Sequence, residues 1–197
     1  MVEIITLEFK NWFLFFLVNI PGIIGSKLRY YYWSSSLAIC PKPLTTGTGT
    51  YIKGAENMRL GGNISLGNNC LFDSVNGELN IGEDSHFNQG VIVVSAHGQI
   101  NIGKNVLVGP YVVLRSSNHK YDMNSIVPTA KLGHKPGKII IGNNVWIGAN
   151  STILSGAKIG DNCVIGAGAV VNSELPPNTV AGGVPARVLK SNSHESC

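Results

Sequence analysis

Residues 141–171 read IGNNVWIGANSTILSGAKIGDNCVIGAGAVV, and the spacing of this stretch decides the fold. An aliphatic side chain returns at every sixth position: Ile141, Ile147, Ile153, Ile159, Ile165 and Val171. Four places after each of the first five comes something small or modest: Val145, Ser151, Ala157, Cys163 and Ala169. A period of six is neither helical nor the plain alternation of a strand. It suits a triangular coil of three short strands, with the aliphatic residue pointing inward from each face and the small one fitting near a corner. Stacked coils pair backbone to backbone at about 4.8 Å, and one coil alone cannot bury its inner face.

The same rule runs earlier in the chain. Leu60, Leu66 and Phe72 form one set, Ile81, Phe87 and Val93 a second, and Ile102, Val108 and Leu114 a third. Matching members of successive sets keep one fixed offset, that of Leu60, Ile81 and Ile102, and NGELNIG at 76–82 returns as HGQINIG at 97–103. Each of these coils is therefore three hexapeptides plus a short corner insertion. Glycine and asparagine at the corners tolerate the positive φ that tight turns need. The expectation is an all-β chain: a parallel β-helix of about five coils over residues 60–190. A partly helical apolar segment over 1–59 precedes it, and a flexible tail over 191–197 follows. The period breaks once, between Leu114 and Ile141, so residues 115–138 are expected to leave the coil as a loop. Loops extruded from a rigid scaffold often carry function.

Composition narrows the function classes. Only 13% of the residues are charged and the net charge is +4, with the basic residues scattered. A nucleic-acid footprint needs a run or stripe of them, so no nucleic acid is expected. A small positive excess suits an anionic ligand such as a phosphorylated cofactor. Cys40, Cys70, Cys163 and Cys197 show no paired or metal-ligand spacing, which reads as reduced thiols in a cytoplasmic protein. Residues 12–24, WFLFFLVNIPGII, are almost wholly apolar but too short to span a bilayer. They also lack the basic leader and cleavage site of a secretory signal. Lys27, Arg29 and the aromatic run Tyr30 to Trp33 follow, a mix found at membrane interfaces. Residues 12–33 are expected either to touch a membrane peripherally, at its inner face, or to pack on the coil or a neighbouring subunit.

The quoted stretch, with Ala181-Gly-Gly-Val-Pro-Ala-Arg-Val-Leu-Lys190, resembles the left-handed β-helix (hexapeptide-repeat) acyltransferases. Galactoside, maltose and polysaccharide O-acetyltransferases look nearest, and the likeness covers roughly residues 60–190. It implies a left-handed coil, although parallel crossovers are generally right-handed. It also implies a homotrimer with active sites between subunits, and acetyl-CoA as cosubstrate lying between adjacent prisms. The implied reaction moves an acetyl group to a hydroxyl of a sugar or lipid-linked sugar. A cell-surface polysaccharide or its precursor is the acceptor class that the resemblance and the apolar N-terminal segment together suggest.

Candidate residues follow from both sources. His119, just past a coil corner in the loop, is the natural general base because imidazole exchanges protons near neutrality. The resemblance implies that it deprotonates the acceptor hydroxyl for direct attack on the thioester. Asp122 stands three places on, where it or a backbone carbonyl could orient the ring. Asn88 matches an acceptor-contacting asparagine of the galactoside enzymes, or is an ordinary corner residue. The repeat offset stacks Asn76, His97 and Asn118 along one corner, which brings His97 and Asn118 to the acceptor side near His119. His86, His134 and His194 have no supporting context. Spacings of 11, 22 and 15 between His86, His97, His119 and His134 do not match the ligand pattern of related zinc β-helices, so no metal is expected.

On the cofactor side, Trp146 is too large for a corner and should wall a groove from an outer face. Gly148, Ala149, Gly166 and Ala167 are small enough for close approach of a pantetheine arm. Pro185, Arg187 and Lys190 match a segment whose basic residues meet coenzyme phosphates, and charge-assisted contacts are the physical reason. Rival readings are an amino-sugar or antibiotic N- or O-acetyltransferase of the same fold, and a non-catalytic β-helix used for assembly. An amine acceptor favours an acidic pocket, and the loop over 115–138 holds only Asp122.

Overall fold

The computed structural model describes residues 2–123 and 126–191. Two helices, α1 (Val2–Asn19) and α2 (Gly22–Ser36), lead into a parallel β-helix of short strands on three faces. The first face runs Leu44–Thr46, Ile64–Leu66, His86–Phe87, Leu107–Val108, Trp146–Ile147, Val164–Ile165 and Thr179–Gly182. An antiparallel strand, Arg187–Ser191, closes its far edge. The second and third faces each stack six strands, from Tyr51–Lys53 to Val170–Val171 and from Met58–Leu60 to Glu174–Leu175.

Register follows the hydrophobic period. Leu66 pairs with Phe87, Phe72 with Val93 and Ile81 with Ile102, each pair one full repeat apart. Ile147 pairs with Ile165 and Ile153 with Val171, a shorter repeat from which the corner insertions are gone. Between these regions Val108 pairs with Ile147, and Gln99 with Lys138, so the ladder steps across the whole intervening segment. The chain between Arg115 and Lys138 is therefore added to one coil without disturbing the stack.

The inward residues form one core. Phe87, Val108, Ile147 and Ile165 line the first face, while Val93, Leu114 and Ile153 line the second; all are buried. Burying each such side chain contributes about 1.5–3 kcal/mol. At the corner between the third and first faces, Asn144, Asn162 and Asn178 all take left-handed φ. Their side-chain amides bond in series, Asn144 to Asn162 at 2.8 Å and Asn162 to Asn178 at 2.9 Å.

Two features depart from the expected layout. The stack begins at Leu44, not Leu60, because Leu44 and Tyr51 already pair with Ile64 and Leu71. This first coil carries buried Thr46 where an aliphatic residue was sought, and its register, Leu44 to Ile64, falls one place short of the later repeat. Of the tail expected over 191–197, Ser191 ends the closing strand, and His194 and Cys197 lie outside the described residues.

The two helices cover the open end of the prism. Val18, Trp33 and Leu37 join the core, and the Gly49 amide donates to the Val18 carbonyl at 2.8 Å. Arg29, in the segment expected either to touch a membrane or to pack on the coil, is only 2% exposed and packs on the coil. Its guanidinium donates to the carbonyls of Ile20 at 2.6 Å and Thr46 at 3.0 Å, so it ties the end of α1 to the first strand of the coil. The opposite surface of the helices exposes Phe9, Trp12, Phe16, Ile23 and Ile24. No described helix is long and apolar enough to cross a membrane.

Candidate active site

The first cluster forms at the corner between the second and third faces. Ser74 and Ser95 stack there one coil apart, their hydroxyls 2.7 Å from each other, and the next serine, Ser116, is fully buried. Asn76 and His97 follow in left-handed conformation at φ 54° and 58°. The chain then leaves the coil. Ser117 anchors the departure by donating to the Ala96 carbonyl at 2.8 Å.

Asn118–His119 forms a very short strand antiparallel to His134–Lys135, with His119 directly opposite His134. Three imidazoles meet as a result. The His119 and His134 rings lie 4.5 Å apart at 38°, and His134 stacks on His97 at 4.3 Å and 11°. His97 and His119 thus share a cluster, as their spacing suggested, but through His134, which had no supporting context in the sequence. Nothing in the loop's composition could reveal the hairpin that returns His134 to the corner. Desolvation pushes the His134 imidazole below the ordinary histidine range, and the charges of His97, His119 and Arg115 add to this. His119 is exposed at the mouth of the hairpin, Asn118 stands opposite Lys135, and Asp122 lies on the exposed loop beyond.

The second cluster lies on the first face. His86, Leu107 and Trp146 are consecutive outward residues in register. With Ser65, Asn88 and Gly109 they line an open groove of about 430 Å³. Trp146 is 56% exposed and forms its wall. Val164 and Val180 continue the column into a second depression of about 410 Å³, where Lys190 and the asparagine corner meet it.

Gly148–Ala149 and Gly166–Ala167 stand at the corner that follows this face. The two glycines differ in kind. A Cβ at Gly148 would lie 2.6 Å from the Ala167 amide, so coil stacking alone forbids a side chain there. A Cβ at Gly166 would meet nothing closer than the Ala181 carbonyl at 3.5 Å. Packing therefore leaves Gly166 free of steric demand. Arg187 and Lys190 are exposed on the closing strand, with Pro185 in the turn before it.

One chain does not bring the two clusters together. His119 belongs to the corner between the second and third faces, whereas Asn88, Trp146 and Gly148 belong to the first face and its other corner. Among the described residues no group of three or more His, Cys, Asp or Glu side chains could hold a metal ion.

Comparison with known proteins agrees with this architecture. Residues 138–173 match the family described as bacterial transferase hexapeptide (six repeats). The chain is 38% identical over 120 residues to a galactoside O-acetyltransferase of Escherichia coli, covering 61% of this chain and 57% of that protein. It therefore spans little more than half the length of that relative. A putative lipopolysaccharide biosynthesis O-acetyl transferase of Escherichia coli, WbbJ, is 29% identical over 153 residues, or 74% of this chain and 78% of that one. Among solved structures, a hexapeptide-repeat acetyltransferase of Vibrio cholerae complexed with acetyl coenzyme A superposes with a TM-score of 0.66 at 24% identity, covering 97% and 90% of the two chains. That likeness concerns the fold, and it supports the left-handed sense of the coil.

Proposed function

We propose that this chain, whose coil carries the hexapeptide repeat of bacterial transferases, moves an acetyl group from acetyl-CoA to a sugar hydroxyl. The observation that carries this reading is an exposed histidine, His119, held at the point where an otherwise unbroken coil is interrupted. The O-acetyltransferases among its relatives support it. An imidazole nitrogen of His119 takes the proton of the acceptor hydroxyl, and the oxygen attacks the thioester carbonyl. The tetrahedral adduct then collapses, the C–S bond breaks, and the imidazolium returns its proton to the departing thiolate.

The first-face groove suits the coenzyme. Trp146 flanks the pantetheine arm, and the bare corners at Gly148, Ala149, Gly166 and Ala167 let the main chain approach it. Arg187 and Lys190, past Pro185, meet the phosphates. Because His119 and Asn88 stand at different corners, a complete site needs two chains, which is the reason to propose a homotrimer with the acceptor held between Asn88 of one subunit and the histidine corner of the next. Trp146→Ala is expected to weaken acetyl-CoA binding about tenfold by calorimetric titration, through loss of buried aromatic contact. Unchanged affinity would remove Trp146 from the groove's function.

A cell-surface polysaccharide precursor is the acceptor class that fits the rest of the chain. The exposed aromatic surface of α1 and α2 suits peripheral contact with the cytoplasmic face of a membrane. Wild-type protein should float with phosphatidylglycerol-containing vesicles, and the double change Trp12→Asp and Phe16→Asp should abolish this. Equal flotation of both would contradict the membrane contact. An amino-sugar acceptor is the second reading, and Asp122, the one acidic residue of the loop, is the group it would rest on.

A further inference from the structure

We propose that His134 is a positioning residue, the middle ring of a three-imidazole cluster that fixes the plane of His119. This rests on the reading of His119 as the general base.

His119 sits on a strand too short to hold itself rigid. A general base must nevertheless be held in one orientation before the reaction, because small misplacements lose much of the rate. The side chains of Tyr121, Met123 and Ile126 beyond the hairpin are 80%, 92% and 99% exposed, so they give it little packed support. The ring of His134 lies across the strand pair against His119, tilted by 38° at 4.5 Å, and it stacks on His97 at 4.3 Å. His97 belongs to the coil itself, whose stacking makes it the rigid end of the series.

Two further observations point the same way. One coil earlier the corner place of His97 is filled by Asn76 with nearly the same φ, so the backbone does not ask for an imidazole there. The contact with His134 does. In addition, Nδ1 of His134 is buried without a hydrogen-bond partner among the described residues, which is unusual for a ring kept only for its polarity. A ring held for its face explains it. Desolvation, with the neighbouring imidazoles and Arg115, also favours the uncharged form of His134, so it offers a neutral ring to His119 when that ring takes up the acceptor proton.

The test compares His134→Ala, His134→Phe and His119→Ala in the full chain. Two readouts are used: kcat and KM from thiol release, and the order of the His119 ring from carbon relaxation. His134→Ala is expected to lower kcat roughly tenfold or more with KM for acetyl-CoA unchanged, and to mobilise the His119 ring. His134→Phe, which keeps a flat ring but cannot titrate, should restore both to within about threefold of wild type. The proposal is overturned if His134→Ala leaves kcat and ring order unchanged while His119→Ala is inactive. It is equally overturned if the phenylalanine variant folds yet performs no better than alanine. Full activity of His119→Ala would instead sink the general-base reading, and the ring-order measurement would still decide whether His134 positions His119.

Discussion

His119→Ala is expected to lower kcat by about 10²–10⁴-fold, the usual contribution of a positioned general base. That corresponds to about 2.7–5.5 kcal/mol of lost transition-state stabilisation. Acetyl-CoA affinity should stay at the wild-type value, because on this reading His119 meets the acceptor hydroxyl while the coenzyme is held by the first-face groove around Trp146. Stability should also change little, since His119 is exposed and its strand makes only a minimal pairing. The split between kcat and coenzyme binding is what separates a lost base from a damaged fold. A variant with full turnover would remove His119 from the mechanism and make His97, half-buried in the same cluster, the next residue to test.

The second large effect concerns stability. Arg29→Ala is expected to destabilise the chain by about 3–5 kcal/mol, because hydrogen bonds to a charged group are worth about 1.5–3 kcal/mol each and their loss strands buried carbonyls. The carbonyls of Ile20 and Thr46 would lose their donor at 2.6 and 3.0 Å. The guanidinium also lies at the C-terminal end of α1, where a positive charge favours the helix dipole. Burial opposes this by lowering its pKa, yet the group stays charged at any ordinary pH. Arg29→Lys should recover only part of the loss, because an ammonium cannot reproduce the fork that reaches α1 and the coil together. With the tie removed, Val18, Trp33 and Leu37 would open to water at the end of the prism. Thermal melting followed by circular dichroism should show a fall of about 10 °C. Melting at the wild-type temperature would mean that α1 and α2 are held by apolar contact alone.

The repeat from Ile141 to Val171 could be read directly because each hexapeptide places one side chain in the same environment as the last. The first coil escaped that reading because Thr46 occupies an inward place and the pairing of Leu44 with Ile64 falls one place short of the later repeat. For Arg29 the choice between membrane contact and packing stayed open in the sequence for a different reason. Its neighbours Lys27, Tyr30 and Tyr31 look interfacial, and only the fold shows that a gap between α1 and the first strand accepts a whole guanidinium. Spacing placed His97 near His119, because a fixed coil length converts sequence offset into position. It could not place His134, whose location depends on how the loop closes on itself. Nor could it separate Gly148, required by the stack, from Gly166, where a side chain would have room.

The most direct measurement is release of free thiol from acetyl-CoA by the full chain, with and without a panel of hydroxyl sugars, amino sugars and lipid-linked sugars. Release is expected to depend on a hydroxyl acceptor, with the acetyl group recovered as an ester on that sugar. Release driven by amino sugars alone would move the chain to the N-acetyl reading. No turnover with any acceptor, together with no binding of acetyl-CoA, would contradict the enzyme altogether and leave a β-helix built for assembly.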